Sequence, residues 1–280
     1  MKKYLIIGFL FFVCACSHYG KIDTRIHTAQ NQTVFTEIDG IENAKYHKLA
    51  FIEHGLASNM EHQVVQTAKQ AFLDNNYVVV TFDARHSTGE SGNDVEKARL
   101  STFVQDLQTA VAWAKTQSFY HEPFALSGHS LGGASVLQYS AENPEQVGLL
   151  IPVAPVISGN LWEQSCMQNM SDFCRQWKQN GSYEYTDKQN GKTVRIPYAV
   201  VTASKNYNAY TIAPQIRAKT LLIGAQKDII IDAAELQQLA KSLHCGQSEV
   251  IADSGHNFEQ KQNQADLYQK IDKFIKDNPL

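Results

Sequence analysis

The chain lacks a hydrophobic run long enough to cross a bilayer: its most apolar stretch, residues 4–13, is well short of the ~20 residues a spanning helix requires. It also lacks a basic cluster. Lysine and arginine number 25 against 28 acidic residues, for a net charge of −3, and they are dispersed, which excludes the electrostatic footprint of a nucleic-acid-binding protein. There is no internal repeat and no low-complexity tract. Cysteine is scarce, at five residues. No nearby histidine pair completes a four-ligand set with any of them, so no metal site is expected.

What is present begins at the amino terminus. Lys2 and Lys3 precede the apolar stretch, which ends in Val13-Cys14-Ala15-Cys16 before the chain turns polar at Ser17. A charged start, a short apolar middle and small residues at the end make residues 1–15 a secretory signal. Val, a spacer and Ala before Cys16 also resemble a bacterial lipobox, which makes Cys16 the expected site of lipidation; ordinary cleavage after Ala15 is the alternative. Acyl chains contribute about 0.8 kcal/mol per buried methylene, so two or three of them would tether the protein firmly. The expected location is exported, on the cell membrane or outer membrane, with a soluble periplasmic or secreted form as the alternative. In an oxidising compartment Cys166 and Cys174 are candidates for a disulfide closing a short loop, with Cys245 free; two buried thiols are the other possibility.

The remaining stretch, residues 16–280, suits one large α/β domain. Alternating apolar residues at 22–26 and 33–38 predict half-exposed, antiparallel strands. Continuous apolar runs follow at 49–52, 77–80, 124–126, 149–153, 220–223 and 249–251, separated by amphipathic helices near 61–74, 100–117, 131–142, 232–243 and 262–277. That alternation predicts a mostly parallel central sheet flanked by helices. Residues 158–215 break the rhythm with a polar, aromatic-rich segment, including a hairpin at 183–186 and 193–196, and are expected to form an inserted lid.

Ser130 stands at the centre of Gly128-His129-Ser130-Leu131-Gly132, after an apolar strand and before a helix. Strand, tight glycine turn, helix is the nucleophile elbow, which lifts a serine hydroxyl out of the sheet edge. A serine needs a base, and the base an orienting carboxylate. His256, in Ser254-Gly255-His256, follows the last strand, and Asp228 follows the strand before it, both at the carboxyl edge where α/β active sites gather. Asp253 is a rival for the carboxylate, and Asp232 is assigned instead to the N-cap of the next helix. The oxyanion donors expected are the backbone N–H of Leu131 and, from the His54-Gly55 step after the first core strand, that of Leu56.

These residues, with the Asp83-Ala84-Arg85 loop leading to Gly89-Glu90-Ser91 and the segment from Gly224 to Asp228, resemble the α/β-hydrolases of the carboxylesterase and lysophospholipase-like type, which carry a lid after the sixth core strand. His86 stands where that family commonly has glycine and the loop is one residue longer, so a structural ion pair between Asp83 and Arg85 is expected rather than a substrate role. The resemblance implies a serine hydrolase cleaving an ester or thioester through an acyl-enzyme, with no metal or organic cofactor and a small-molecule acyl substrate. A peptidase or amidase of the same fold, or a silent hydrolase fold serving as a binding lipoprotein, are the alternatives. Lid residues such as Trp162, Phe173, Trp177, Tyr183 and Tyr185 are candidates for an acyl pocket or for the lid's own small core.

Overall fold

The computed structural model describes residues 20–92 and 94–280; the expected secretory signal and Cys16 lie outside the described residues. The alternating segments become β1 (Lys21–His27) and β2 (Thr33–Asp39), paired antiparallel from Lys21 opposite Asp39 to His27 opposite Thr33. The continuous apolar runs then alternate with helices: β3 (Leu49–Glu53), α1 (Gln63–Asp74), β4 (Val78–Asp83), α2 (Leu100–Ala114), β5 (Phe124–His129), α3 (Leu131–Glu142) and β6 (Val147–Val153).

The polar, aromatic segment follows as α4 (Gly159–Asn169), α5 (Ser171–Asn180), the hairpin β7 (Ser182–Thr186) and β8 (Thr193–Pro197), α6 (Ala199–Ala203) and α7 (Ala209–Ile212). The chain then returns to the sheet with β9 (Lys219–Ala225), α8 (Ala233–Ser242), β10 (Gly246–Ile251) and α9 (Lys261–Asp277).

The eight-stranded sheet has the order β1-β2-β4-β3-β5-β6-β9-β10, antiparallel as far as β4 and parallel from there to β10. Period-two alternation sends successive side chains to opposite faces. Along β3, Leu49 and Phe51 enter a core shared with Phe103 and Leu107 of α2, while Ala50 and Ile52 enter a second core with Phe72 of α1 and Leu267 of α9. Because both faces of the sheet centre are covered, the central strands are buried at every position, which is why their apolar runs are continuous rather than alternating.

Edge position explains the element whose sequence signal was partial. β10 begins at Gly246, three residues earlier than its apolar end, because Gln247 and Glu249 lie on a half-exposed edge strand. Asp232 caps α8 as expected, accepting from Ala234 N–H at 2.9 Å. Among the described residues no helix is long and apolar enough to cross a membrane.

Candidate active site

Ser130 is the hinge between β5 and α3, with φ 55° and ψ −114°. Positive φ costs a residue with a Cβ on the order of 1–3 kcal/mol and persists only where the surroundings enforce it. Here Ser130 N–H donates to Val153 O, and its carbonyl accepts from Val156 N–H, both at 3.0 Å, clamping the turn to the end of β6. The glycines follow from the same crowding. A Cβ on Gly128 would run into the Gly132 carbonyl, and one on Gly132 would run into that of His54.

Three residues from three sheet ends meet above that turn. The Ser130 hydroxyl faces His256 Nε2 at 2.9 Å, and His256 Nδ1 faces Asp228 Oδ2 at 2.7 Å. The carboxylate can only accept, so Nδ1 carries the proton and Nε2 presents its lone pair to the Ser130 hydroxyl. Asp228 is itself held: its Oδ1 accepts from Ile230 N–H at 2.8 Å and Ile231 N–H at 3.0 Å. The carboxylate side chain is 1% exposed, while the imidazole remains reachable at 11%. Asp253 stays apart, exposed and paired with Lys227 at 2.8 Å.

The loop after β3 lies beside the hydroxyl: a Cβ built on Gly55 would stand 3.2 Å from that of Ser130. His54 sets its orientation. Its Nε2 accepts from Ala84 N–H at 2.9 Å, so Nδ1 carries hydrogen and donates to the Gly55 carbonyl at 2.7 Å. Burial lowers the His54 pKa below the ordinary range, consistent with one proton. In a trans peptide the carbonyl and the following N–H point in opposite directions. Drawing the Gly55 carbonyl toward His54 therefore turns the Leu56 N–H away from that ring. Neither Leu56 N–H nor Leu131 N–H donates to another group among the described residues, which leaves both free for a ligand oxygen.

Two further histidines, to which the sequence assigned no role, stand beside His256 and each other. His129 Nε2 donates to the His256 carbonyl at 3.0 Å, and the His62 ring stacks on His129 at 5.2 Å and 11°. Burial drives the His129 pKa well below its ordinary value and brings His62 to about 4, so both rings are neutral. His129 is the variable position of the elbow motif and His62 lies just ahead of α1; neither has a spacing that marks it in sequence. Glu53, at the end of β3, is fully buried, which raises its pKa well above the ordinary carboxylate value.

The segment between β6 and β9 covers this site. Its aromatic residues pack on one another, Trp177 edge-on to Tyr183 and Tyr198 at 5.1 and 5.2 Å, and Trp162, Phe173, Trp177, Tyr183 and Tyr185 also line a cavity of about 250 Å³ beside Ser130 and His256. Cys166 and Cys174 are joined by a disulfide that ties α4 to α5, and Cys245 is free and exposed. No group of three or more metal-ligating side chains occurs among the described residues.

The expected ion pair between Asp83 and Arg85 is corrected. Arg85 Nε pairs instead with Asp106 of α2 at 2.7 Å. Asp83 is a loop organiser: Oδ1 accepts from Met60 N–H at 2.8 Å and Oδ2 from Glu90 N–H at 2.7 Å. β4 ends at Asp83, so Arg85 lies in the turn beyond it, where its N–H and Nε both engage Asp106 while the Asp83 oxygens are taken by the loop N–H groups.

A mostly parallel sheet covered by helices on both faces, with a serine at the strand-turn-helix elbow and a histidine and a carboxylate on later loops, has the architecture of the α/β-hydrolases. The chain belongs to the family described as serine aminopeptidase, S33, whose profile matches residues 44–259. Among curated proteins no sequence matches significantly. Solved structures show the same fold at low identity. Est1E from Butyrivibrio proteoclasticus, in complex with ferulic acid, is 16% identical with a TM-score of 0.73, covering 91% of this chain and 98% of that one. The Pyrococcus furiosus esterase Pf2001 is 16% identical with a TM-score of 0.71, covering 93% and 91%. Mouse alpha/beta hydrolase domain-containing protein 10 is 18% identical with a TM-score of 0.68, covering 91% and 99%.

Proposed function

We propose that this protein is a serine hydrolase of carboxylic esters, exported and tethered to a membrane by a lipid on Cys16. The observation that carries the enzymatic reading is the continuous contact from Ser130 Oγ to His256 at 2.9 Å and from His256 to Asp228 at 2.7 Å. In the proposed reaction His256 Nε2 takes the hydroxyl proton as Ser130 Oγ attacks the acyl carbonyl. The tetrahedral oxyanion is met by the N–H groups of Leu131 and Leu56, each such donor contributing on the order of 3 kcal/mol to the barrier. The intermediate collapses as His256 protonates the leaving alcohol, giving an acyl-enzyme on Ser130. Water, deprotonated by the same ring, then releases the acid. Residues 158–215 act as the lid that excludes bulk water.

An ester substrate is supported by the aromatic and apolar cavity and by neighbours of the same fold that are esterases, one solved with an aromatic acid bound. The family description favours an aminopeptidase as the second reading. A fluorophosphonate probe tests the shared chemistry: labelling is expected on Ser130 and is expected to vanish in Ser130→Ala and His256→Ala. Comparing p-nitrophenyl esters with aminoacyl anilides then separates the two readings, with faster turnover of the anilides overturning the esterase. For the anchor, Cys16→Ala should move the protein from the membrane pellet to the soluble fraction, and unchanged pelleting would contradict lipidation.

A further inference from the structure

The cavity above Ser130, at about 250 Å³, has room for about eight groups of methylene or water size at ~30 Å³ each. Strand β7 forms one wall. Alternation puts Tyr183, Tyr185 and Asp187 on the same face, and all three line the cavity. The two tyrosines contribute aromatic surface, and Asp187 ends the row, 4% exposed.

Asp187 also fastens the hairpin across the site. Thr88 Oγ1 donates to Asp187 Oδ2 at 2.6 Å and Asn59 Nδ2 to the same oxygen at 3.0 Å, while Gln189 N–H reaches Oδ1 at 2.9 Å. Beside them Asn190 Nδ2 donates to the Thr88 carbonyl at 3.0 Å. Asn59 and Thr88 belong to the loops after β3 and β4. Those strands lie on one side of β5 and β6 on the other, so the insertion leaves β6, passes over the serine at the tip of β5 and is tied down on the far side. Every donor to Asp187 is a neutral group, and no lysine or arginine lines the cavity among the described residues.

Building on the esterase reading above, we propose that Asp187 is the specificity-determining residue of this site. By holding the hairpin down it sets the depth of the pocket, which limits the acyl group to about eight non-hydrogen atoms. By its charge it confines that group to uncharged chains, because an anionic acyl group would be brought beside a carboxylate with no lysine or arginine among the described residues lining the cavity to offset either.

The test uses the full chain and two ratios of kcat/KM, each taken within one enzyme so that a partly misfolded variant still reports. p-Nitrophenyl octanoate against laurate reads length. p-Nitrophenyl pentanoate against the mono-p-nitrophenyl ester of glutaric acid, the same chain with a terminal carboxylate, reads charge. The wild type is expected to favour octanoate and pentanoate by about tenfold each. Asp187→Asn should shrink the charge ratio at least severalfold. Thr88→Val, which removes the shortest tie and leaves the charge, should shrink the length ratio while the charge ratio stays. Unchanged ratios in both variants, or a wild type indifferent to length and charge, would overturn the role of Asp187 while leaving the esterase intact. No ester turnover together with no fluorophosphonate labelling of Ser130 would overturn the serine-hydrolase reading itself, and this proposal with it.

Discussion

His129 donates from Nε2 to the main-chain carbonyl of His256 at 3.0 Å, while the next residue, Ser130, meets the ring of that same histidine at 2.9 Å. Two consecutive residues at the end of β5 thus hold both the backbone and the ring of the proposed base, so the separation of base and hydroxyl is set from one rigid strand end rather than by a free loop.

Replacing His129 with leucine should therefore act on turnover more than on binding. Losing a buried hydrogen bond costs about 1–2 kcal/mol, which at the transition state is about tenfold in kcat. We expect that fall with KM changed less than about twofold. His129→Gln, which keeps an N–H near the carbonyl, should recover most of it. Steady-state kinetics on one p-nitrophenyl ester decides; an effect confined to KM would show that His129 only shapes the pocket.

The two candidate carboxylates make opposite predictions. Asp228 is buried against His256 with both oxygens engaged, so Asp228→Asn should disturb the imidazole tautomer and lower kcat by about 10⁴-fold. Asp253 is paired with Lys227 at the surface, and Asp253→Asn should change kcat by less than about twofold. A reversed order would reassign the third member of the triad.

Asp106 predicts a stability effect without a chemical role. Its side chain is 1% exposed and carries Arg85, which Gln32 and Gln105 also bind. Asp106→Ala strands the guanidinium in the core and should cost about 3–5 kcal/mol, measured by urea unfolding. A loss below about 1 kcal/mol would mean that Arg85 escapes to solvent.

Acid should weaken the fold through His62. Burial holds its pKa at about 4, against an ordinary value of 6.5. Between those pH values the unfolded chain binds a proton that the folded chain refuses, so stability falls as pH drops, by up to about 1.4 kcal/mol per unit and roughly 3 kcal/mol in all. Asp39, raised to about 6 chiefly by burial, works in the opposite sense, gaining stability as it takes up a proton below that pH. His62→Asn isolates the histidine, since asparagine keeps the N-cap on α1 and cannot titrate. Unfolding free energies from pH 7 to pH 4 should show a shallower decline in the variant; parallel curves would contradict the assignment.

The primary structure was most legible where one physical cause has one local signature. Strands buried on both faces must be apolar throughout, and the elbow must place glycines around Ser130, so the sheet, the strand-turn-helix elbow and the Gly-His turn at His256 could all be read directly. Asp232 was legible as a helix cap, but Asp253 stood as a rival to Asp228, and geometry separates a buried carboxylate on His256 from a surface ion pair. The partner of Arg85 illustrates the limit: proximity in the chain pointed to Asp83, but loop N–H groups of Met60 and Glu90 occupy that carboxylate and a helix twenty-one residues on supplied Asp106.

Local sequence thus determined the alternating α/β architecture and the elbow, because burial and backbone strain act on neighbouring residues. Tertiary structure alone decided the rest. The contacts of His129 with His256, of His62 with His129 and of Asp187 with Thr88 span large separations in the chain. They exist because the sheet order brings distant loops to one edge, and no local propensity encodes that convergence.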